Sequence, residues 1–250
     1  PVVLDNFAFP MGYVISFVIA SALIFLSWIF LSLTREPSVH SSKPVVSQLD
    51  YLRSLPEVLR RDHNFRVYLL AQIIFSLSGM AIGFLVVYTV RVWHLPDAEA
   101  SGFIIALQVG LALANLFFGF FSDRKGHKLS LEICMILNVL SLVLAILAPV
   151  PVWFFLVFFL RGAVQAGTFV SGISIVYEFT DSDNRATYIG LANTIPGVAA
   201  AIAPMIGGWL AGAISYRAMF ILAGAIGTIG WVLLRFGVNE PRTAALPVES

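Results

Sequence analysis

The sequence predicts an all-α membrane protein with seven transmembrane helices, and three observations support this fold class. Of its 250 residues, 59% are hydrophobic and 12% are charged, which is about half the charged share of a soluble globular domain. Apolar runs of about 20 residues, the length that crosses a bilayer as a helix, recur along the chain. The Lys and Arg residues between these runs are distributed unevenly, as they are in membrane proteins with a fixed orientation.

The apolar runs are predicted to be helices rather than strands. Hydrocarbon offers no water to the backbone, so a spanning segment must be a helix or part of a closed barrel. Barrel strands are about ten residues long and alternate between apolar and polar residues, a pattern that these long continuous runs lack. The predicted spans are residues 7–33, 67–90, 101–121, 129–148, 152–179, 186–214 and 218–238.

The basic residues predict the orientation of the spans. Of the 15 Lys and Arg residues, Arg91 and Arg217 fall in one set of connections, Arg161 falls inside a span, and all the others fall in the second set. Cytoplasmic connections hold the excess of Lys and Arg, so the first span is expected to run inward and the C-terminus to be cytoplasmic, in the plasma membrane. Three aromatic side chains then lie at the outer interface: Trp93, Trp153 and Tyr216.

The order of spans and connections predicts four segments. Residues 1–34 form one helix, 35–66 a cytoplasmic linker, 67–240 a six-helix domain, and 241–250 a cytoplasmic tail. The linker begins with a polar, flexible stretch. Its second part, "LDYLRSLPEVLRRD", has leucines three or four positions apart, which predicts an amphipathic helix on the membrane or the bundle, split at Pro56.

Two Glu-Pro pairs mark cytoplasmic exits, Glu36-Pro37 after the first span and Glu240-Pro241 after the last. One long inner linker and six spans lie between them. Parallel six-span halves are one known transporter architecture. The chain begins at Pro1 rather than at methionine, and we interpret it as part of a longer polypeptide whose N-terminal half is missing.

A charged loop, "GFFSDRKGHK", interrupts the apolar sequence between the third and fourth spans. Gly119 would let a neighbouring helix approach closely, and Gly126 would allow a tight turn. Asp123 can accept hydrogen bonds from a helix N-terminus or pair with an arginine. The cations Arg124 and Lys128 hold the loop at the cytoplasmic face.

This loop resembles the signature loop of the major facilitator superfamily, G-x-x-x-D-[RK]-x-G-[RK]-[RK], with His127 where that family usually has a cation. "LRRDHNFRVYLLAQ", "FFLRGAVQAG" and "APMIGGWLAG" are also similar to family patterns. The resemblance covers essentially the whole chain as spans six to twelve. It implies the C-terminal six-helix half of a twelve-helix transporter, together with the preceding helix, and transport by alternating access.

A second charged pair, Glu178 and Arg185 in "YEFTDSDNR", resembles a pattern that pairs with the signature loop in the family's sugar porters. We expect Arg124 or Lys128 to pair with Glu178, and Asp123 to pair with Arg185 or a helix end. Such a cluster could lock the two halves together in one state and release them in another. The alternative is that the cations only set the orientation.

Polar residues inside the spans are the candidates for the transport pathway. Arg161 lies near the middle of its span, where a cation is costly and usually functional. It could bind an anionic group, tune a carboxylate or bond to carbonyls of a neighbouring helix. The other candidates are Gln165, Gln72, Ser76, Gln108, Asn115, Asn138 and Asn193. For each of these, a hydrogen bond between helices is the alternative.

Small residues at four-residue spacing predict faces at which helices pack closely. The pairs are Gly79/Gly83, Gly162/Ala166 and Gly208/Gly212.

The predicted function is secondary transport of a small solute, by uptake or efflux, with or without a coupling proton or sodium ion. No Asp or Glu lies in the middle of a span, so facilitated diffusion or anion exchange also fits. The four histidines lie in connections without metal-ligand spacing, so no metal, cofactor or catalytic site is predicted, and a net charge of +1 does not suggest a nucleic-acid partner. A non-transporting receptor or scaffold with the same fold is the alternative.

Overall fold

The computed structural model describes residues 11–34, 48–95, 97–180 and 184–241. Within these ranges the chain is helical, with turns and without strands. It divides into two compact units, Pro1–Val45 and Val46–Ser250. The first part of the predicted linker, with Glu36-Pro37, and residues 242–250 of the predicted tail lie outside the described residues.

The first unit contains one described helix, α1, Met11–Ser32. Its large apolar side chains are exposed on every side, with Phe17 and Ile24 each 70% exposed. A helix that is apolar all round and unburied is suited to hydrocarbon rather than to water. This helix confirms the first predicted span.

The second unit is a bundle of long helices preceded by a short one. Together with the first unit, the described residues contain seven helices or helix pairs long and apolar enough to cross a membrane, which confirms the predicted count. The helices are α2 Gln48–Arg61, α3 His63–Ser78, α4 Phe84–Trp93, α5 Asp97–Lys125, α6 His127–Leu147, α7 Trp153–Phe179, α8 Arg185–Ala213 and α9 Tyr216–Val232, and a π-helical turn, Leu233–Gly237, follows α9.

The second predicted span is interrupted in the structure, which the sequence analysis did not foresee. Helix α3 ends at Ser78, a 3₁₀ turn follows at Gly79–Ala81, and α4 begins at Phe84. A Cβ atom on Gly79 would meet only the Ile82 side chain, at 3.5 Å, and one on Gly83 would meet no described atom within 4 Å. No described residue packs closely against this pair, so a packing face there stays a prediction. Glycine disfavours helix, and the pair marks the break in the span.

A close crossing in the bundle joins α5 to α7. A Cβ atom on Gly162 would collide with the carbonyl oxygen of Leu107, and one on Gly110 would collide with that of Phe159. The two glycines therefore let the backbones touch on both sides of the crossing. This confirms the predicted face at Gly162. At the third pair, the close contact is made by Gly207, whose Cβ would lie 2.6 Å from the Met80 oxygen, rather than by Gly208 or Gly212.

Aromatic clusters fill the two ends of the bundle. At one end the ring of Tyr88 lies 5.2 Å from that of Phe220 and 5.6 Å from that of Trp93. At the other end the ring of Phe65 lies 4.4 Å from that of Tyr188 and 5.4 Å from that of Phe179. We call this second end, which also contains residues 119–128, the inner end, because the sequence predicts that it faces the cytoplasm.

Helix α2 lies against the inner end of the bundle. Its apolar side chains Leu55, Val58 and Leu59 pack on the cluster around Phe65, so the bundle is the surface that it covers. The predicted split at Pro56 is wrong, because α2 continues through this proline. Proline removes one backbone hydrogen bond, and the packing of the leucines on both sides of it holds the helix together.

The start and the end of the bundle are joined directly at the inner end. The side-chain nitrogen of Asn64 donates to the carbonyl oxygen of Asn239 at 3.0 Å, and the backbone N–H of Asn239 donates to the side-chain oxygen of Asn64 at 2.7 Å. Nearby, Asp62 caps α3 by accepting from the N–H of Phe65 at 2.9 Å, and it also accepts from the hydroxyl of Tyr188 at 3.2 Å.

Candidate functional site

A cavity of about 540 Å³ opens at the break between α3 and α4. This volume lies within the usual range for small-molecule sites, roughly 300–1,000 Å³. Its wall is formed by residues of α3 to α8 together with the 3₁₀ turn. Interrupted helices near the middle of a span frequently form the solute sites of transporters, because the break exposes backbone polar groups.

Arg161 of α7 lines this cavity and is buried, with 9% of its surface exposed. Its Nη1 donates to the side-chain oxygen of Asn138, while its Nε is buried and has no hydrogen-bond partner among the described residues. Among the residues that the structure describes, no carboxylate forms an ion pair with Arg161. The guanidinium is therefore oriented by a neutral amide, and no described residue compensates its charge.

A chain of hydrogen bonds continues from Arg161 across the bundle. The side-chain nitrogen of Asn138 donates to the hydroxyl of Ser78 at 2.9 Å, and that hydroxyl donates to the carbonyl oxygen of Ala223 at 2.8 Å. The chain thus joins α7, α6, α3 and α9. Gly227 leaves room for it, since a Cβ atom there would lie 2.8 Å from the Ser78 hydroxyl.

Replacing Ser78 with alanine is expected to destabilise the bundle by about 1 kcal/mol, because the Asn138 amide and the Ala223 carbonyl both lose a buried partner. Thermal unfolding in detergent measures the effect. Ser174→Ala is the matched control, because the hydrogen bond that the Ser174 hydroxyl makes among the described residues lies within its own helix, to the Val170 carbonyl at 2.9 Å. Equal unfolding temperatures for the two variants would contradict a stabilising role for this series of hydrogen bonds.

The structure brings some of the predicted pathway residues together at the cavity and leaves others elsewhere. Arg161, Asn138, Gln165 and Ser76 line it, as does Thr168, which the sequence analysis did not single out. The remaining four candidates do not line it. Gln72 donates to the Tyr68 hydroxyl at 2.9 Å, Asn115 donates to the Leu111 carbonyl of its own helix at 2.8 Å, and Gln108 and Asn193 are exposed.

The charged loop lies at the inner end, between α5 and α6. Asp123, Arg124 and Lys125 are exposed there. Gly126 has a φ of +94°, which a residue with a side chain rarely adopts, and a Cβ atom on it would lie 3.0 Å from the carboxylate of Glu240. The turn glycine therefore lies against the second Glu-Pro pair. No described atom lies within 4 Å of a Cβ placed on Gly119, so a close approach at that position stays a prediction.

A buried ion pair begins at the last residue of this loop. The Nζ of Lys128 is 3.3 Å from one carboxylate oxygen of Glu132, and the other oxygen is 3.5 Å from the Nη1 of Arg235. Lys128 is 8% exposed and Glu132 is 4% exposed. Lys128 also donates to the carbonyl oxygen of Arg235 at 3.2 Å, within the π-helical turn that follows α9. π-helical turns are frequent at functional sites.

The sequence hypothesis proposed Glu178 for the partner of Lys128 or Arg124, and the ion pair that the structure shows for Lys128 is with Glu132. The Arg185 guanidinium lies 5.3 Å from the ring of Tyr177. A gating role for these residues and for Asp123 stays a prediction. A glutamate four positions after a lysine on one helix was the sequence signal for the Lys128–Glu132 pair.

Three buried serines also join helices at the inner end. The hydroxyl of Ser122 lies 2.8 Å from that of Ser130 and 3.0 Å from that of Ser171, which links α5, α6 and α7. The sequence analysis did not identify them, since isolated serines in apolar helices give no signal of their partners.

Comparisons with known proteins identify relatives of this chain. A family profile described as Major Facilitator Superfamily matches residues 68–249. The chain is 23% identical over 161 residues to the niacin transporter NiaP of Acinetobacter baylyi, covering 64% of this chain and 36% of that protein. It is 28% identical over 153 residues to the multidrug resistance protein MdtL of Salmonella paratyphi C, covering 60% of this chain and 39% of that protein.

Solved structures show the same fold. A crystal structure of a major facilitator superfamily transporter, FucP, in the outward conformation matches with a TM-score of 0.71 and 13% identity, covering 95% of this chain and 60% of that one. A crystal structure of a variant of the E. coli fucose:proton symporter FucP matches with a TM-score of 0.67 and 15% identity. The chain thus spans under two fifths of the length of the two curated relatives above and 60% of the length of each solved chain.

Proposed function

Since the chain belongs to the major facilitator superfamily, we propose that it forms the C-terminal part of a secondary transporter that moves a small solute by alternating access. The cavity at the break between α3 and α4 is the observation on which this proposal rests. It combines a solute-sized volume with a buried, oriented cation among helices long and apolar enough to cross a membrane. A costly cation inside a span favours a transporter over a scaffold or receptor.

The proposal includes an orientation and a division of the chain. The protein is a multi-pass membrane protein, and the distribution of Lys and Arg supports a cytoplasmic inner end and C-terminus in the plasma membrane. Residues 1–34 then contribute one helix of an N-terminal half, and residues 67–240 form the C-terminal transporter domain. The relatives named for niacin and for multidrug resistance support a small organic molecule as the solute.

Accessibility of the cavity from both sides of the membrane tests alternating access without knowledge of the solute. The full-length protein is prepared with Ala200, which lines the cavity, replaced by cysteine and with other accessible thiols removed. Membrane-impermeant thiol reagents are expected to reach this cysteine from either side. Reaction from one side alone, under every ionic and solute condition, would favour the receptor or scaffold function.

Counterflow in liposomes then tests transport itself. Liposomes that contain the full-length protein and unlabelled niacin, fucose or a hydrophobic drug are diluted into the labelled compound. Saturable accumulation of a label, absent from protein-free liposomes, is expected for the transported class. Imposing a proton or a sodium gradient across the same liposomes decides which ion, if any, is coupled.

Asp123→Asn is expected to change the rate of transport and the ratio of inward-facing to outward-facing protein, because the loop carboxylate would lose its charge at the inner end. The thiol accessibility of residue 200 measures that ratio. Glu57→Gln on α2 is the matched control, since it removes an exposed carboxylate outside the loop. If Asp123→Asn left both the rate and the ratio at their original values, the inner-end charges would not act as a switch.

A further inference from the structure

We propose that the cavity beside Arg161 is a binding site for the anionic group of an organic solute, with the apolar part of that solute held by the rest of the cavity. The proposal names organic acids, with a carboxylate, sulfonate or phosphate group, as the substrate class. Calling the organic acid a substrate rests on the proposed transport function. Binding of the acid at this site does not depend on that function.

The first argument is the missing counter-charge. A buried cation normally has a carboxylate partner, because the charge is costly to remove from water. The described spans contain Asp123, Glu132 and Glu178 as their acidic residues, and all three lie at the inner end, away from the cavity. The neighbour of Arg161 is instead the neutral Asn138. A bound anion would supply the compensation that this part of the chain does not.

The second argument is the direction of the free donor. Nη1 of Arg161 is occupied by Asn138, which is itself held by Ser78. Nε is buried without a partner in the described part of the chain. In a guanidinium, Nε and Nη2 form one edge that can donate two parallel hydrogen bonds to a carboxylate or a phosphate. Asn138 therefore fixes the plane of the guanidinium and does not use that edge, in a residue that lines the cavity.

The third argument is the character of the remaining wall. Phe75, Leu85, Leu107, Phe158 and Val164 line the cavity beside Arg161. Ligand sites of this kind are mainly apolar, with a few polar groups that fix the orientation of the ligand. A solute with one anionic group on an apolar body matches both Arg161 and these apolar residues, whereas the charge of a cation would be repelled by the guanidinium.

A purely structural role for Arg161 makes a different prediction. If Arg161 only joined α7 to α6 through Asn138, the original protein would show no preference for an acid, and a carboxylate in place of that amide would have no preference to remove. If Arg161 binds an anion, the same carboxylate would occupy the guanidinium and repel the ligand. Asn138→Asp therefore separates the two roles while the arginine stays in place.

The test is a binding assay on the purified full-length protein with pairs of compounds that differ in charge. The pairs are benzoate with benzamide, hexanoate with hexanamide, benzenesulfonate with benzenesulfonamide, and phenyl phosphate with phenol. Calorimetry and the shift in unfolding temperature measure the affinity of each compound. At least one acid is expected to bind roughly tenfold or more tightly than its neutral partner, because the ion pair is formed in a buried site.

Three variants complete the test. Arg161→Gln and Asn138→Asp are each expected to abolish the preference for the acid, and Arg161→Lys is expected to retain part of it. Arg217→Gln, which removes an exposed arginine, is the matched control and should behave as the original protein. If Arg161→Gln fails to fold, the comparison of Asn138→Asp with the original protein still decides the question.

Two outcomes would overturn the proposal. One is that no acid binds more tightly than its neutral partner. The other is that the preference persists in Asn138→Asp and in a folded Arg161→Gln. The failure of transport is a separate result. An acid that binds through Arg161 but is not moved across the liposome membrane would contradict the transport function and would support the anion site. A neutral or cationic solute that is transported by the Arg161→Gln variant refutes the anion site and leaves the transporter.

Discussion

Glu132→Gln should destabilise the bundle by about 3 kcal/mol, the effect expected when one partner of a buried ion pair is removed and the other stays. Lys128 would keep its hydrogen bond to the Arg235 carbonyl but would lose the carboxylate at 3.3 Å. Because Lys128 is 8% exposed, water could not easily replace the carboxylate. Unfolding of the full-length protein in detergent, followed by heat or by denaturant, measures the loss.

Two companion variants show whether the loss comes from the unpaired lysine. The double variant Lys128→Met with Glu132→Leu should be close to the original protein in stability, because a buried pair that is replaced by apolar side chains leaves no charge behind. Arg235→Gln should cost less than about 1 kcal/mol, because the Arg235 side chain is 51% exposed and water screens its contact. A double variant as unstable as Glu132→Gln would show that packing, and not charge, explains the effect.

Gly162→Ala should destabilise the protein by about 1–3 kcal/mol, the usual cost of forcing a side chain into a fully packed contact. The added methyl group would overlap the carbonyl oxygen of Leu107. That oxygen belongs to the backbone, so it cannot move aside as a flexible side chain could, and α5 and α7 would have to separate. Gly162→Leu should prevent accumulation of folded protein. The amount of monodisperse protein in detergent and its unfolding temperature are the measurements.

Gly224→Ala is the control for this prediction, because a Cβ atom on Gly224 would meet no described atom within 4 Å. It should leave the stability nearly unchanged or raise it slightly, since alanine favours helix over glycine. Equal effects at residues 162 and 224 would contradict the close crossing of α5 and α7.

The sequence predicted the membrane-spanning helices well and their mutual contacts poorly. Hydropathy is a property of each segment alone, so the spans were located to within a few residues of the helices that the structure shows. The break after Ser78 was missed because Gly79 and Gly83 fit two patterns, a packing face and a helix interruption. The choice between them depends on what lies opposite, which one segment of sequence does not contain.

The candidate site was predictable in part for the same reason. Arg161 was identified because a cation inside a span is costly wherever it points. Gln108 and Gln165 looked equivalent in sequence, yet Gln165 lines the cavity and Gln108 does not. The rotation of each helix about its axis decides this difference, and it is set by packing against neighbours. The pairing of Glu132 with Arg235 joins residues 103 positions apart and is beyond any local pattern.

The paired hydrogen bonds between Asn64 and Asn239 have a mechanical consequence. They join residues 175 positions apart, one at the first turn of the bundle and one just after its last helix. A force transmitted through the preceding segment therefore acts on both the first and the last helix at once. Separating the first helix of the bundle from the end of its last helix at the inner end would require both bonds to break together.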